Sequence, residues 1–153
     1  MALQLLLVED DGVLFWDMES QIAGLGHTVV GGASSAQQAV EAARRLRPDL
    51  VLMDIRLEGQ GDGITAARRI RDELGIPSLF VSGRLDPETT ARACSAHPLG
   101  FLRKPFAPAE LARALRLAEH AQSGPQLDLF HELARRQRGR PGSTLADRDS
   151  GLA

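Results

Sequence analysis

Five short apolar runs recur along the chain: Leu3–Val8, His27–Val30, Leu50–Met53, Ser78–Val81 and Phe101–Leu102. The first, third and fourth are continuous rather than alternating, the pattern of strands covered on both faces. Stretches with helical spacing lie between and after them. Phe15–Leu25 is the first, with Trp16 expected in its core-facing stripe. Ala36–Leu46 places Ala39, Val40, Ala43 and Leu46 on one face, and Ile64–Leu74 does the same with Ile64, Ala67, Ile70 and Leu74. Pro87–Ala96 is a weaker case, with Cys94 expected to be buried and inert. Pro108–Ala121 opens with Pro108 in its first turn and Glu110 close behind, both favourable at a helix start. Gly26, Gly75 and Gly100 are expected to punctuate helix ends before strands.

A strand–helix unit repeated five times predicts an α/β fold. It is a doubly wound five-stranded parallel sheet, (βα)5, with helices on both faces in three layers. Pattern alone leaves the strand order open. Ligands in such sheets bind beyond the carboxyl ends of the strands. The predicted domain covers residues 1–122. Ser123, Gly124 and Pro125 break the last helix, and residues 123–153 form an extension. A short helix is expected at 126–137, with Leu127, Phe130 and Leu133 as its stripe. Beyond Arg138 the composition is that of a disordered tail.

Composition narrows the function. The chain has 153 residues, 43% hydrophobic and 25% charged, as in a soluble globular protein. A net charge of −2 argues against a protein occupied mainly with nucleic acid. Cys94 is the single cysteine, so no internal disulfide can form and a reducing cytoplasm is the expected compartment. No apolar run approaches the roughly 20 residues needed to cross a bilayer. The first apolar run leads directly into Glu9, Asp10 and Asp11, unlike a signal peptide. The basic run Arg135, Arg136, Arg138, Arg140 could touch phosphate without specificity. A nucleic-acid-binding regulator built on that tail is the weaker alternative, because a solvated tail explains the run. His27, His97, His120 and His131 show no ligand spacing.

Candidate chemistry lies at the predicted strand ends. Glu9, Asp10 and Asp11 follow the first strand, Asp54 ends the third, and Lys104 follows the fifth. In a parallel sheet these ends share one edge, so the groups converge. Crowded carboxylates repel unless a cation compensates. A hard cation with oxygen ligands, most simply Mg2+, is the physical answer. A divalent cation and an ammonium beside a free carboxylate suit phosphoryl transfer, with Asp54 as nucleophile. Of the 18 lysine and arginine residues only Lys104 is lysine. An ammonium is a compact point charge where guanidinium is a wide fork.

Several segments together resemble the receiver (CheY-like) domains of two-component response regulators. They are Leu5-Leu6-Leu7-Val8-Glu9-Asp10-Asp11, Asp49-Leu50-Val51-Leu52-Met53-Asp54-Ile55, Asp62-Gly63, Phe80-Val81-Ser82-Gly83 and Gly100-Phe101-Leu102-Arg103-Lys104-Pro105-Phe106. The resemblance covers roughly residues 3–120 and implies the flavodoxin-like, CheY-like form of the fold. It implies Asp54 as the phospho-accepting residue. Asp10 would be a direct Mg2+ ligand, Glu9 would act mainly through water, and the backbone carbonyl of Arg56 would be a further ligand. Ser82 and Lys104 would sense the phosphoryl group, and Phe101 would be the aromatic switch. The Lys104–Pro105 bond is expected to be cis, a form found almost only before proline. Glu58 stands where many members carry proline, the loop Glu58–Gly63 is one residue longer than the commonest form, and Phe101 lacks the hydroxyl of the commoner tyrosine.

The function so implied is a stand-alone response regulator receiver in a phosphorelay. A histidine kinase or histidine phosphotransfer protein would load Asp54. The surface of the fourth helix, fifth strand and fifth helix would then change toward a downstream protein or a second copy, as a homodimer. Such a chain is a switch rather than an enzyme, with at most slow loss of its own phosphoryl group. A Mg2+-dependent phosphohydrolase of the haloacid-dehalogenase type also uses an aspartate at a strand end. Those enzymes usually carry a second aspartate two residues on, where this chain has Arg56.

Overall fold

A computed structural model describes residues 2–57 and 62–123. The elements run β1 (Gln4–Val8), α1 (Gly12–Gly24), β2 (Thr28–Ala33), α2 (Ala36–Leu46), β3 (Leu50–Asp54), α3 (Gly63–Leu74), β4 (Ser78–Ser82), α4 (Pro87–Cys94), β5 (Gly100–Arg103) and α5 (Pro108–Ser123). The strands form one parallel sheet in the order β2-β1-β3-β4-β5. The order turns back on itself at β1 and β3, which opens a crevice above their carboxyl ends. Contacts group Met1–Glu119 as one compact unit; of the second, from His120, only the end of α5 is described. The helix expected at 126–137 and the tail after it lie outside the described residues.

Alternation along the strands builds two cores. Leu6, Val8, Val51, Met53 and Phe80 face α2, α3 and α4, with Val40, Ile64, Ile70 and Ala93 against them. Leu5, Leu7, Leu50, Leu52, Leu79 and Val81 face α1 and α5, meeting Met18, Ile22, Leu111 and Leu115. Burial of β3 and β4 along their whole lengths accounts for their continuous apolar sequences. Each fully buried leucine contributes roughly 1.5–3 kcal/mol.

Five details depart from the sequence expectations. β2 continues through Gly31 and Gly32 to Ala33, beyond the apolar run. A Cβ at Gly31 would come within 2.4 Å of Leu46 Cδ1, and one at Gly32 within 2.5 Å of the Phe15 ring. Pairing with Leu6 and Leu7 makes these residues strand, and the close approach of α1 and α2 favours glycine there. α1 starts at Gly12 rather than Phe15, since the Asp11 carboxylate caps it by accepting from the Val13 and Leu14 N–H groups. Trp16 is 69% exposed, not core: the buried face of α1 carries Met18 and Ile22, and Trp16 points away from it. Cys94 is exposed, because Ala93 takes the buried position on α4. Gly26 and Gly75 have positive φ, whereas Gly100 opens β5 and His97 takes the left-handed turn before it.

Candidate functional site

β1 ends at Val8, and the Glu9 N–H then donates to the Ala33 carbonyl at 3.0 Å, carrying the chain one residue past the strand. Glu9 is only 5% exposed there. Asp54 is the last residue of β3 and equally buried. Lys104 follows β5, its N–H donating to the Ser82 carbonyl at 2.8 Å. The Lys104–Pro105 peptide is cis. From this position the Lys104 ammonium donates to Glu9 Oε1 at 2.6 Å and to Asp54 Oδ2 at 3.1 Å.

Each carboxylate has a second commitment. Glu9 Oε2 accepts from the Asp11 N–H at 3.2 Å, and Asp54 Oδ1 from the Arg56 N–H at 3.1 Å. Asp10 joins them: Glu9, Asp10 and Asp54 offer oxygens within 4.8 Å of one another. Three carboxylates thus face one ammonium. Burial pushes the Glu9 carboxyl above its ordinary value; Lys104 opposes that rise and Asp54 reinforces it. Burial and the Glu9 side chain raise the Asp10 carboxyl as well. Burial works against the charged form of Lys104, yet Glu9 and Asp54 outweigh it and hold the ammonium above its usual value. The arrangement suits a small hard cation on the carboxylate side and an anion beside Lys104.

The structure brings Glu9, Asp10, Asp54 and Lys104 together and places the other candidates around them. Arg56 meets the site through its N–H, with its side chain exposed. Ser82 ends β4 and is buried, but its hydroxyl is engaged within its own turn. It donates to the Arg84 carbonyl at 3.0 Å and accepts from the Arg84 N–H at 3.1 Å. The Phe101 ring packs on Phe80, centroids 5.9 Å apart and planes 28° apart.

Sequence reasoning gave no role of their own to Arg84, Phe80 and Gly63, and grouped Asp11 with the acidic residues after the first strand. Asp11 caps α1 and feeds its N–H to Glu9, Arg84 holds Ser82, and Phe80 is the platform for Phe101. Gly63 lies so close to Asp54 that a Cβ there would come within 2.0 Å of the Asp54 carbonyl oxygen. Asp11 carried a readable signal, as an aspartate before a helical stretch, and Gly63 stood in the Asp62-Gly63 pair.

The family model for the response regulator receiver domain matches residues 5–116. The transcriptional regulatory protein PdtaR of Mycobacterium tuberculosis is 32% identical over 115 residues, which are 75% of this chain and 56% of PdtaR. The phyllosphere-induced regulator PhyR of Methylorubrum extorquens is 38% identical over 65 residues, 42% of this chain and 24% of PhyR. The chain thus spans about half the length of PdtaR and less of PhyR. Among solved structures, the signal receiver domain of a modulated diguanylate cyclase from Desulfovibrio desulfuricans superposes with a TM-score of 0.74 at 34% identity. That match covers 80% of this chain and 97% of the other. The receiver domain of PhyR from Erythrobacter litoralis gives 0.71 at 28% identity, covering 81% and 95%. Among the described residues no helix is long and apolar enough to cross a membrane.

Proposed function

Because the chain belongs to the response regulator receiver domain family, we propose that it accepts a phosphoryl group on Asp54 and thereby resets the surface it offers a downstream protein. The observation that carries this reading is the Lys104 ammonium shared between Asp54 and Glu9. A carboxylate buried against a cation and a second carboxylate is a nucleophile whose product charge already has a partner.

The donor is a phosphohistidine of a kinase or phosphotransfer protein in the cytoplasm. An Asp54 carboxylate oxygen forms the new O–P bond as the P–N bond breaks, and the leaving electron pair stays on the donor imidazole, which takes up a proton. Lys104 keeps Asp54 oriented before transfer and pairs with the phosphoryl oxygens afterwards. Glu9, Asp10, Asp54 and the Arg56 carbonyl would hold Mg2+, for which a close set of oxygen donors with excess negative charge is a fit. When bound, Mg2+ supplies neutralisation of the charge the phosphoryl oxygens bring.

The switch begins at Ser82. Its hydroxyl now donates to a neutral carbonyl. A phosphoryl oxygen is an ionised acceptor, and such bonds are roughly twice as strong as neutral ones. Ser82 therefore leaves Arg84, the turn before α4 is released, and Phe101 settles more tightly on Phe80. The face of α4, β5 and α5 changes for a downstream protein or a second copy. The chain acts as a switch, with residues 1–122 as the receiver and 123–153 as an appended segment.

The test is labelling by a small phosphodonor such as acetyl phosphate with Mg2+. We expect one acid-stable, base-labile label per chain, absent in Asp54→Asn and absent when Mg2+ is chelated. Full labelling of Asp54→Asn refutes the assignment.

A further inference from the structure

We propose that Asp62 and Arg92 form a clasp that couples the backbone of Asp54 to α4, a line from acceptor to helix that bypasses Ser82 and Phe101. It rests on the reading of Asp54 as the phosphoryl acceptor and adds a regulatory element to that site.

Three contacts make the line. The first residue of α3, Gly63, lies against the Asp54 peptide. A Cβ at Gly63 would meet the Asp54 carbonyl oxygen at 2.0 Å and its carbon at 2.9 Å. The Gly63 N–H also donates to the Ile55 carbonyl at 2.9 Å. Asp54 cannot shift toward α3 without moving the start of that helix, because no compressible side chain lies between them. Asp62 comes next, and its two oxygens do different work. Oδ1 caps α3 by accepting from the Thr65 N–H at 2.9 Å, while Oδ2 accepts from Arg92 Nη2 at 2.6 Å. One carboxylate thus holds the start of α3 and the last turn of α4. Partial burial works to raise the Asp62 carboxyl, and the Arg92 guanidinium and Thr65 outweigh it.

α4 is a helix on which such a link matters. Ala93 is its buried residue, against five each on α2 and α3. A helix with so little apolar anchorage opens easily, and polar ties set its position. A second tie runs alongside the clasp. Arg68 of α3 donates to Ser95 Oγ at 3.0 Å, and that hydroxyl donates to the Arg92 carbonyl at 2.6 Å. α4 is therefore fastened to α3 at Arg92 twice, through its side chain and its carbonyl. The Ser82 turn enters α4 from its amino end, whereas the clasp grips the last turn.

The test is amide hydrogen exchange on the full chain, reading residues 87–94 with and without beryllofluoride and Mg2+ as the phosphoryl mimic. The variants are Arg92→Ala and Asp62→Asn, the latter keeping an oxygen for the α3 cap. Both replace partly exposed side chains, so the fold is retained; exchange in α3 checks this. We expect either variant to speed exchange across 87–94 in the resting chain by about two- to fivefold, the range of an exposed ion pair. Each should also remove at least half of the change the mimic causes there. The double variant should be no worse than either single one. Resting exchange equal to the parent in Arg92→Ala, or a mimic response kept in full, overturns the clasp. A parent chain indifferent to the mimic overturns the acceptor reading instead.

Discussion

At the amino end of the sheet, the Leu3 N–H donates to His27 Nδ1 at 2.9 Å and the Gln4 N–H to Asp49 Oδ2 at 2.8 Å. The strand carbonyls there are taken in turn, Leu3 by the Thr28 N–H and Gln4 by the Asp49 N–H. Side chains at that end close off backbone groups. At the carboxyl end, Glu9, Asp10 and Asp54 crowd one another and share a single ammonium. Polar side chains at the first end complete the fold. Those at the second repel one another and are held together by everything else in the fold, which is the condition in which an arriving cation or phosphoryl group gains the most.

The sharpest way to break this contrast is to discharge the carboxyl end. The double substitution Glu9→Gln, Asp10→Asn removes the charges that would hold Mg2+ and keeps the shapes. Phosphorylation by acetyl phosphate should fall by at least roughly 100-fold, the scale of a lost electrostatic stabiliser. Thermal unfolding without metal should show the fold no weaker than the parent. A labelling rate within threefold of the parent would mean that the acidic pair is structural after all.

Lys104→Arg comes next. The charge is kept, but a planar fork replaces a compact ammonium between two buried carboxylates whose oxygens it meets at 2.6 and 3.1 Å. Labelling should stay within about threefold, while the coupling of label to a changed α4 should drop roughly tenfold, a common size for such couplings. Exchange in α4 read at full occupancy of Asp54 separates the two. A variant that switches normally reduces the single lysine to a matter of composition.

The amino end makes the opposite prediction. His27→Ala deletes the acceptor of the Leu3 N–H at a partly buried position. Stability should fall by about 1 kcal/mol, the net worth of such a bond. The labelling rate should not move. A loss of labelling at unchanged occupancy of the fold would show that the two ends are not independent.

The contrast between the ends was partly legible in the sequence. Continuous apolar strands imply a parallel sheet, and a parallel sheet brings the residues after Val8, Met53 and Phe101–Leu102 to one edge, so the pattern alone places Glu9, Asp54 and Lys104 together. What could not be read depends on contacts distant in sequence. Gly31 and Gly32 have poor strand propensity yet pair with Leu6 and Leu7 in β2, where Leu46 and Phe15 leave little room for a side chain. Trp16 looked like core because it is large and apolar, but α1 turns Met18 and Ile22 inward. The Ser82 hydroxyl was expected at the phosphoryl group, and in the resting chain Arg84, two residues along, satisfies it in both directions. Asp62 stood in the sequence only as half of the Asp62-Gly63 pair; its partner Arg92 is 30 residues away.

The smallest effect tests the repulsion itself. Burial and the Glu9 side chain raise the Asp10 carboxyl above its ordinary value. A carboxyl shifted upward favours the fold below its unfolded pKa, and that advantage is lost as pH rises through the folded value. At neutral pH ionised Asp10 therefore costs stability, by an amount that solvent screening keeps below about 1 kcal/mol. Asp10→Asn alone should raise the urea midpoint slightly at pH 7 in chelator. The difference should shrink as pH falls through the raised range in which the parent's Asp10 takes up its proton. Added Mg2+ should reverse the order, stabilising the parent and leaving the variant behind. If both unfold together at pH 7 in chelator, the carboxyl end carries no such strain, and its contrast with the amino end is one of position only.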